Sequence, residues 1–453
     1  MSFLNFLPKN ENLALITTNQ TVNYLELHRL VQEKIKLLAE VHQQDVVWVE
    51  CRNTVETMVH FLACWEKTAC VVPIDPQLGE TEISYLYDQI PPHHILNETS
   101  QSKVLGKKLS AAKNPDVKDA QIVQMSSGTT GTPKIMLISG KAISYRAISN
   151  RDHLGLKTNE KTLCTVPLSH SHGIDCLALP TLFAGGCVYL FDPTTAYPYR
   201  ILEWIEKYQI TFFSSLPQMY DQFNKLVGQK AYNLQSLRYP FCGSAALSES
   251  TAVDFNKNFD LHLRQGYGLA EIGVICVNIK GGQNNYHSIG EVIKGIEWKL
   301  EKDGELLVKA PSLFTGYYRN ENETQSRLVE GFLKTEDLIT IDQNGFFYIT
   351  GRKNDVINIM GKKVYPKEIE NILAPLKSLR EFCITSSVDP DRGQIVVLHA
   401  VKNDTAIPTE ALEKEVLTFL DGKLEDFKIP RKFVWHENLP KSPLGKILKS
   451  KLL

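Results

Sequence analysis

The segment MSSGTTGTPK, Met125 to Lys134, gathers side chains suited to holding phosphate. Gly128 and Gly131 let the backbone turn tightly and come close to a ligand. Ser126, Ser127, Thr129, Thr130 and Thr132 supply hydroxyl donors, and Lys134 adds a positive charge. A loop of this composition directly after a strand is suited to wrapping phosphates. It is not a Walker A loop, G-x-x-x-x-G-K-[ST], because Thr-Pro separates Gly131 from Lys134. Zinc chemistry is not expected: the nine cysteines contain no C-x-x-C pair, and no Cys/His cluster has ligand spacing.

The elements that must position this loop read as alternating strands and helices. Residues 21–46 carry Tyr24, Leu27, Leu30, Val31, Ile35 and Leu38 at helical intervals. DVVWVE reads as a strand, TVETMVHFLACWEK as a helix, ACVVPID as a buried strand, and QIVQM as the strand that feeds the loop. This alternation predicts an α/β layer with parallel strands. Residues 97–119 are polar and Lys-rich, a surface connection, and 280–287 read as a loop. A second set of α/β elements fills about 140–275. From about 289 short alternating segments broken by Asp-Gly and Asn-Gly predict hairpins and a small β subdomain. After Gly351-Arg352 helices and strands return with a basic bias, 17 Lys+Arg against 14 Asp+Glu over 353–453.

The 453 residues allow two to four domains at the usual size of roughly 150 each. Hydrophobic residues are 43%, charged residues 22% and the net charge is −1, which excludes a broadly basic nucleic-acid coat and an acidic disordered chain. No secretory signal and no apolar run long enough to span a membrane is seen. The odd, unpaired cysteine set fits reduced thiols and a cytoplasmic protein.

The loop's spelling resembles the phosphate loop of the acyl-adenylate-forming (AMP-binding) superfamily, which includes acyl- and aryl-CoA synthetases, nonribosomal adenylation domains and luciferase. Other family motifs follow in order. PLSHSHG (Pro167–Gly173) resembles P-x-x-H-x-x-G, FCGSAALS (Phe241–Ser248) the adenine segment, and QGYGLAE (Gln265–Glu271) Y-G-x-T-E. KTEDL (Lys334–Leu338) resembles T-G-D-L, GRKNDVINIMGKKVYPKEIE (Gly351–Glu370) the hinge motif, and LPKSPLGKI (Leu439–Ile447) the C-terminal lysine motif.

The resemblance implies a fold, a reaction and a set of roles. The fold is α/β, with a large N-terminal domain, 1–352, of α/β layers plus the β subdomain, and a smaller mobile α+β C-terminal domain, 353–453. The reaction joins a carboxylate to the α-phosphate of ATP, then passes the acyl group to a thiol. Two anions must meet, so fixed cations and donors are needed where charge develops. Lys446, in a terminal segment able to swing, would bridge carboxylate and α-phosphate. Glu271 would hold Mg²⁺, a hard cation that takes oxygen ligands. His170 would stand beside the acyl carboxylate. Tyr267 would stack on adenine, walled by Gly243, Ser244, Ala245 and Gly268. Asp337 and Arg352 would take the ribose hydroxyls.

The sequence departs from the family pattern at three places. Ala270 replaces the usual Thr and removes a hydroxyl that would touch phosphate. Glu336 replaces the Gly before the ribose carboxylate. Asn354 stands at the hinge in place of Asp or Lys. By the same alignment His172, Cys176, Ser215, Cys242, Gly266 and Val274 would line the acyl pocket. His172 occupies the place where amino-acid-activating members carry an Asp, which argues against an α-amino acid, with Asp175 the nearest acidic residue. Gly361 would border the channel for a pantetheine thiol. The expected partners are a small carboxylic acid and CoA, with neither nucleic acid nor a membrane span. The rival readings are an acyl-AMP ligase that loads the phosphopantetheine of an acyl carrier protein, and a catalytically inactive adenylate-binding protein.

Overall fold

The computed structural model describes every residue except 1, 98–114, 127–133, 229, 246, 281–284, 391, 442–446 and 453. Helix Tyr24–Leu37 begins where the Asn23 side chain accepts the Glu26 backbone N–H, and it buries Tyr24, Leu27 and Val31. The expected helix over 21–46 is thus shorter at both ends. Val22 is fully buried in strand Thr21–Asn23, which pairs with Leu13–Ile16. Helix Val55–Glu66 is capped by Thr54 and is apolar on nearly every side. Such a helix must be enclosed. It lies in an apolar cluster that also holds residues of both large sheets.

Those sheets have nine and six strands. In the six-stranded sheet, Val46–Glu50 and Cys70–Ile74 pair in parallel and are buried along their whole length, as strands covered on both faces are. Its strand Ala120–Ser126 leads into the Gly/Thr loop and returns antiparallel as Lys134–Ser139. The nine-stranded sheet carries Phe212–Ser215, Tyr239–Cys242 and Arg264–Leu269 side by side, so the segments at their C-terminal ends converge. Ligands in open α/β sheets bind at such ends.

A five-stranded antiparallel sheet follows, with hairpins at Asp303-Gly304 and Asn344-Gly345, where both glycines have positive φ (88° and 84°). Not every strand after 289 belongs to it. Glu291–Val292 joins the nine-stranded sheet, and Gly316–Tyr317 pairs with Lys134–Ser139. The pairing of Phe332–Ile341 with Phe347–Arg352 sets Asp337 opposite Arg352. Beyond a short turn at Lys353–Asp355 come the hairpin Ile357–Ile359/Lys362–Val364 and a three-stranded sheet. Helices Pro366–Leu373 and Thr409–Leu420 share an apolar cluster with that sheet. Among the described residues no helix is long and apolar enough to cross a membrane.

Candidate active site

Where the nine-stranded sheet, the five-stranded sheet and helix Pro366–Leu373 meet, a cavity of about 1220 Å³ opens. Its best-ordered corner is built on one carboxylate. Asp337 is 3% exposed and accepts from the Tyr267 hydroxyl (2.6 Å) and the Arg352 Nε (2.9 Å). Burial works against the Arg352 charge, but Asp337 beside it outweighs burial and holds the guanidinium above its ordinary pKa. Burial, and then Asp337, push the Tyr267 phenol well above its usual value, so it stays a donor. A carboxylate has about four acceptor sites. Two are used here, and two remain for a ligand's hydroxyls.

Gly268 shows why this strand end carries glycine. A Cβ there would sit 2.3 Å from the Gly273 carbonyl oxygen. Gly266 differs, because a Cβ would meet nothing within 4 Å, so a side chain would project into open space. Gly243, Ser244 and Ala245 also line the cavity, beside Gly266, with Ser244 at φ 63°.

A second cluster surrounds Glu271, which is 8% exposed. Its Oε1 accepts from the Tyr317 hydroxyl at 2.7 Å, and the Arg327 Nη2 stops 3.9 Å away. Glu271 lines the cavity, and a carboxylate is the donor a hard divalent cation takes. Lys134 also lines the cavity, ion-paired with Glu323 and 5.4 Å above the Tyr317 ring.

Glu336 has φ 62°, a left-handed conformation that glycine adopts at no steric cost. Its carboxylate pairs with Arg327 and accepts a hydrogen bond from Asn354. Burial raises its pKa, but these partners prevail and leave it below the ordinary value, so it is charged at neutral pH. Asn354 itself is exposed in the Lys353–Asp355 turn, with no positive φ.

The far end of the cavity is apolar with a few polar groups. His172, Cys176, Cys242 and Val274 line it, with Phe212 and Phe241. His172 bonds Ser214 (2.9 Å), and burial lowers its pKa to about 4, so it is neutral at physiological pH. Ser215 does not line the cavity, whereas Ser214 does. Strand alternation puts 212 and 214 on the cavity side and turns 215 away. His170 also lies off the wall; its Nε2 faces Asp75 at 3.9 Å. Asp175 lines the cavity, and its Oδ1 has no hydrogen-bond partner among the described residues. The residue is 1% exposed and paired with the equally buried Arg146 at 3.0 Å.

Several expected residues fall elsewhere. Ser127, Gly128, Thr129, Thr130, Gly131 and Lys446 lie outside the described residues, as does the Ser126 side chain. The flanks of Lys446 are described: Lys441 bridges Ile447, and Lys449 lines the cavity. Gly361 (φ 81°) forms the hairpin tip with Met360 (φ 49°) and does not line the cavity.

Four charged residues at or beside the cavity escape sequence reading. Arg146 donates to Asp175, to the Ser312 carbonyl (3.0 Å) and to the Ala270 carbonyl (3.1 Å), and so fixes the loop before Glu271. Arg327 stands between Glu271 and Glu336. Lys449 lies 2.9 Å from Glu370, and Lys367 beside it has a pKa lowered by burial. The only sequence signal for the two lysines is the basic excess after 352.

The sequence pattern of the AMP-binding enzyme matches residues 8–123 and 97–318, and that of the AMP-binding enzyme C-terminal domain matches 368–446. A 2-succinylbenzoate–CoA ligase of Listeria monocytogenes is 26% identical over 97% of this chain and 95% of its own. A long-chain-fatty-acid–CoA ligase of Bacillus subtilis is 30% identical over 74% of this chain and 61% of its own. The ATP-bound MatB of Rhodopseudomonas palustris has the same fold, with TM-score 0.87 and 23% identity over 100% of this chain and 98% of that one. The o-succinylbenzoate CoA synthetase of Bacillus subtilis with its acyl-adenylate gives 0.84 and 22% over 98% and 95%.

Proposed function

The chain belongs to the AMP-binding enzyme family, and we propose that it is an ATP-dependent acyl- or aryl-CoA synthetase that activates a carboxylic acid other than an α-amino acid. In the first step a carboxylate oxygen attacks the α-phosphorus of ATP, and pyrophosphate leaves with the electrons of the broken P–O bond. In the second, the CoA sulfur attacks the acyl carbon, and AMP departs.

The observation that carries this reading is the buried Asp337, oriented by Tyr267 and Arg352 on the wall that also bears Glu271. Asp337 accepts the ribose hydroxyls, Arg352 holds its charge in place, and the 243–245 wall with Tyr267 encloses the base. Glu271, a carboxylate on the cavity wall, would hold Mg²⁺, which when bound offsets phosphate charge. Lys446 meets the carboxylate and α-phosphate. Neutral His172 and the apolar wall favour an uncharged acyl or aryl body, and the Asp175 charge is already matched by Arg146. On its cysteine spacing we place the enzyme in the cytoplasm.

A carrier-protein acceptor is the second reading, favoured by Ala270, which some fatty acyl-AMP ligases share. Offering CoA and holo-carrier separately and weighing the products distinguishes the two. The first reading is tested by acid-dependent pyrophosphate exchange across fatty, aryl and amino acids. Exchange with fatty or aryl acids and none with amino acids is expected. Exchange with amino acids alone, or with no acid, contradicts it.

A further inference from the structure

The guanidinium of Arg327 is more than nine-tenths buried and lines the cavity, yet it is poorly satisfied. It offers five N–H donors. One arm pairs with Glu336, the other lies 3.9 Å from Glu271, and the buried Nε has no partner among the described residues. Buried donors are normally paired, and leaving one unmade is costly. Such an arrangement is stable only if something else brings acceptors.

The position of Arg327 shows which acceptors. Glu271, Tyr317 and Lys134 form one run of contacts, and Lys134 is the described residue that closes the Gly/Thr loop. Arg327 stands 3.9 Å from Glu271 of this run, while Asp337 takes its hydrogen bonds from Tyr267 and Arg352. Two residues that depart from the usual pattern flank this region, Ala270 just before Glu271 in the chain and Glu336 paired with Arg327. Ala270 removes a hydroxyl beside the phosphates, and Glu336 accepts a left-handed backbone to hold Arg327.

We infer that Arg327 binds the part of the ATP phosphate chain that leaves as pyrophosphate, and that Glu336 is the residue that aims it. This rests on the ATP-dependent reading above. An arginine matches phosphate oxygens bidentately, so it supplies charge-assisted bonds where Ala270 supplies none. The contribution applies to ATP and pyrophosphate but not to AMP, which ends at the α-phosphate.

The test is equilibrium binding of ATP and of AMP, each with Mg²⁺, to the full chain and to Arg327→Gln and Arg327→Lys, with thermal melts alongside. Loss of a charge-assisted hydrogen bond predicts ATP binding weakened about ten- to a hundredfold in Arg327→Gln, and AMP binding changed less than about twofold. Arg327→Lys, which keeps a charge for Glu336, falls between and carries the comparison if the glutamine variant does not fold. Equal weakening of both nucleotides marks Arg327 as merely structural and overturns the inference, as does unchanged ATP binding. If the parent chain binds neither nucleotide, the ATP-dependent reading fails first and this falls with it.

Discussion

Glu336 carries the sharpest conflict between local backbone preference and site chemistry. Its φ of 62° is a conformation that costs a non-glycine residue about 1 kcal/mol or more. What it gains is the Arg327 ion pair and the Asn354 hydrogen bond. Glu336→Gly and Glu336→Ala both delete the carboxylate, but only alanine keeps the left-handed penalty. Glu336→Ala should therefore unfold at lower urea, less stable than Glu336→Gly by about 1 kcal/mol. An alanine variant as stable as the glycine one would remove strain from the account. Asp337 needs no such compromise, because strand register alone sets it opposite Arg352.

At the scale of elements, the order of motifs in the sequence follows the order of strand ends around the cavity. That is why much of the site was legible: several motifs are a strand end plus its loop, as with Arg264–Leu269 before Glu271, though Lys334–Leu338 lies inside a strand. Register is finer than any motif, so Ser215 was expected on the wall and Ser214 is found there. Arg146 and Arg327 were not legible at all. Their partners lie far away in sequence, as Ala270 does from Arg146, and no local pattern announces them. The lysine-bearing segment yields its own prediction. Lys441 and Ile447 bridge across 442–446, and Leu439 and Ile447 belong to an apolar cluster with Cys383 and Val401. Both flanks of 442–446 are therefore anchored in the C-terminal domain. Lys446→Ala should cut adenylate formation at least about a hundredfold while leaving transfer from premade acyl-AMP to CoA largely intact. Equal loss in both half-reactions, measured separately, would contradict the role given to Lys446.

For the whole molecule, burial of histidine sets the response to acid. Burial depresses both His172 and His399 from 6.5 to about 4, with a neighbouring histidine as the second cause at each. Between those values the unfolded chain binds more protons than the folded one, so stability falls as pH drops from about 6.5 to 4. Above 6.5 these groups contribute no pH dependence. The double variant His172→Gln, His399→Gln should flatten that acid limb in denaturant melts, and an unchanged limb would show that other groups control it. The larger arrangement, with two sheets enclosing buried helices and a basic C-terminal domain beside their strand ends, exists to bring an acid and a nucleotide together. The route they take is read most directly by isotope. With an acid that supports exchange, labelled with oxygen-18 in its carboxylate, one labelled oxygen should appear in the phosphate of the released AMP. Label in the pyrophosphate, or in neither product, would contradict an acyl-adenylate.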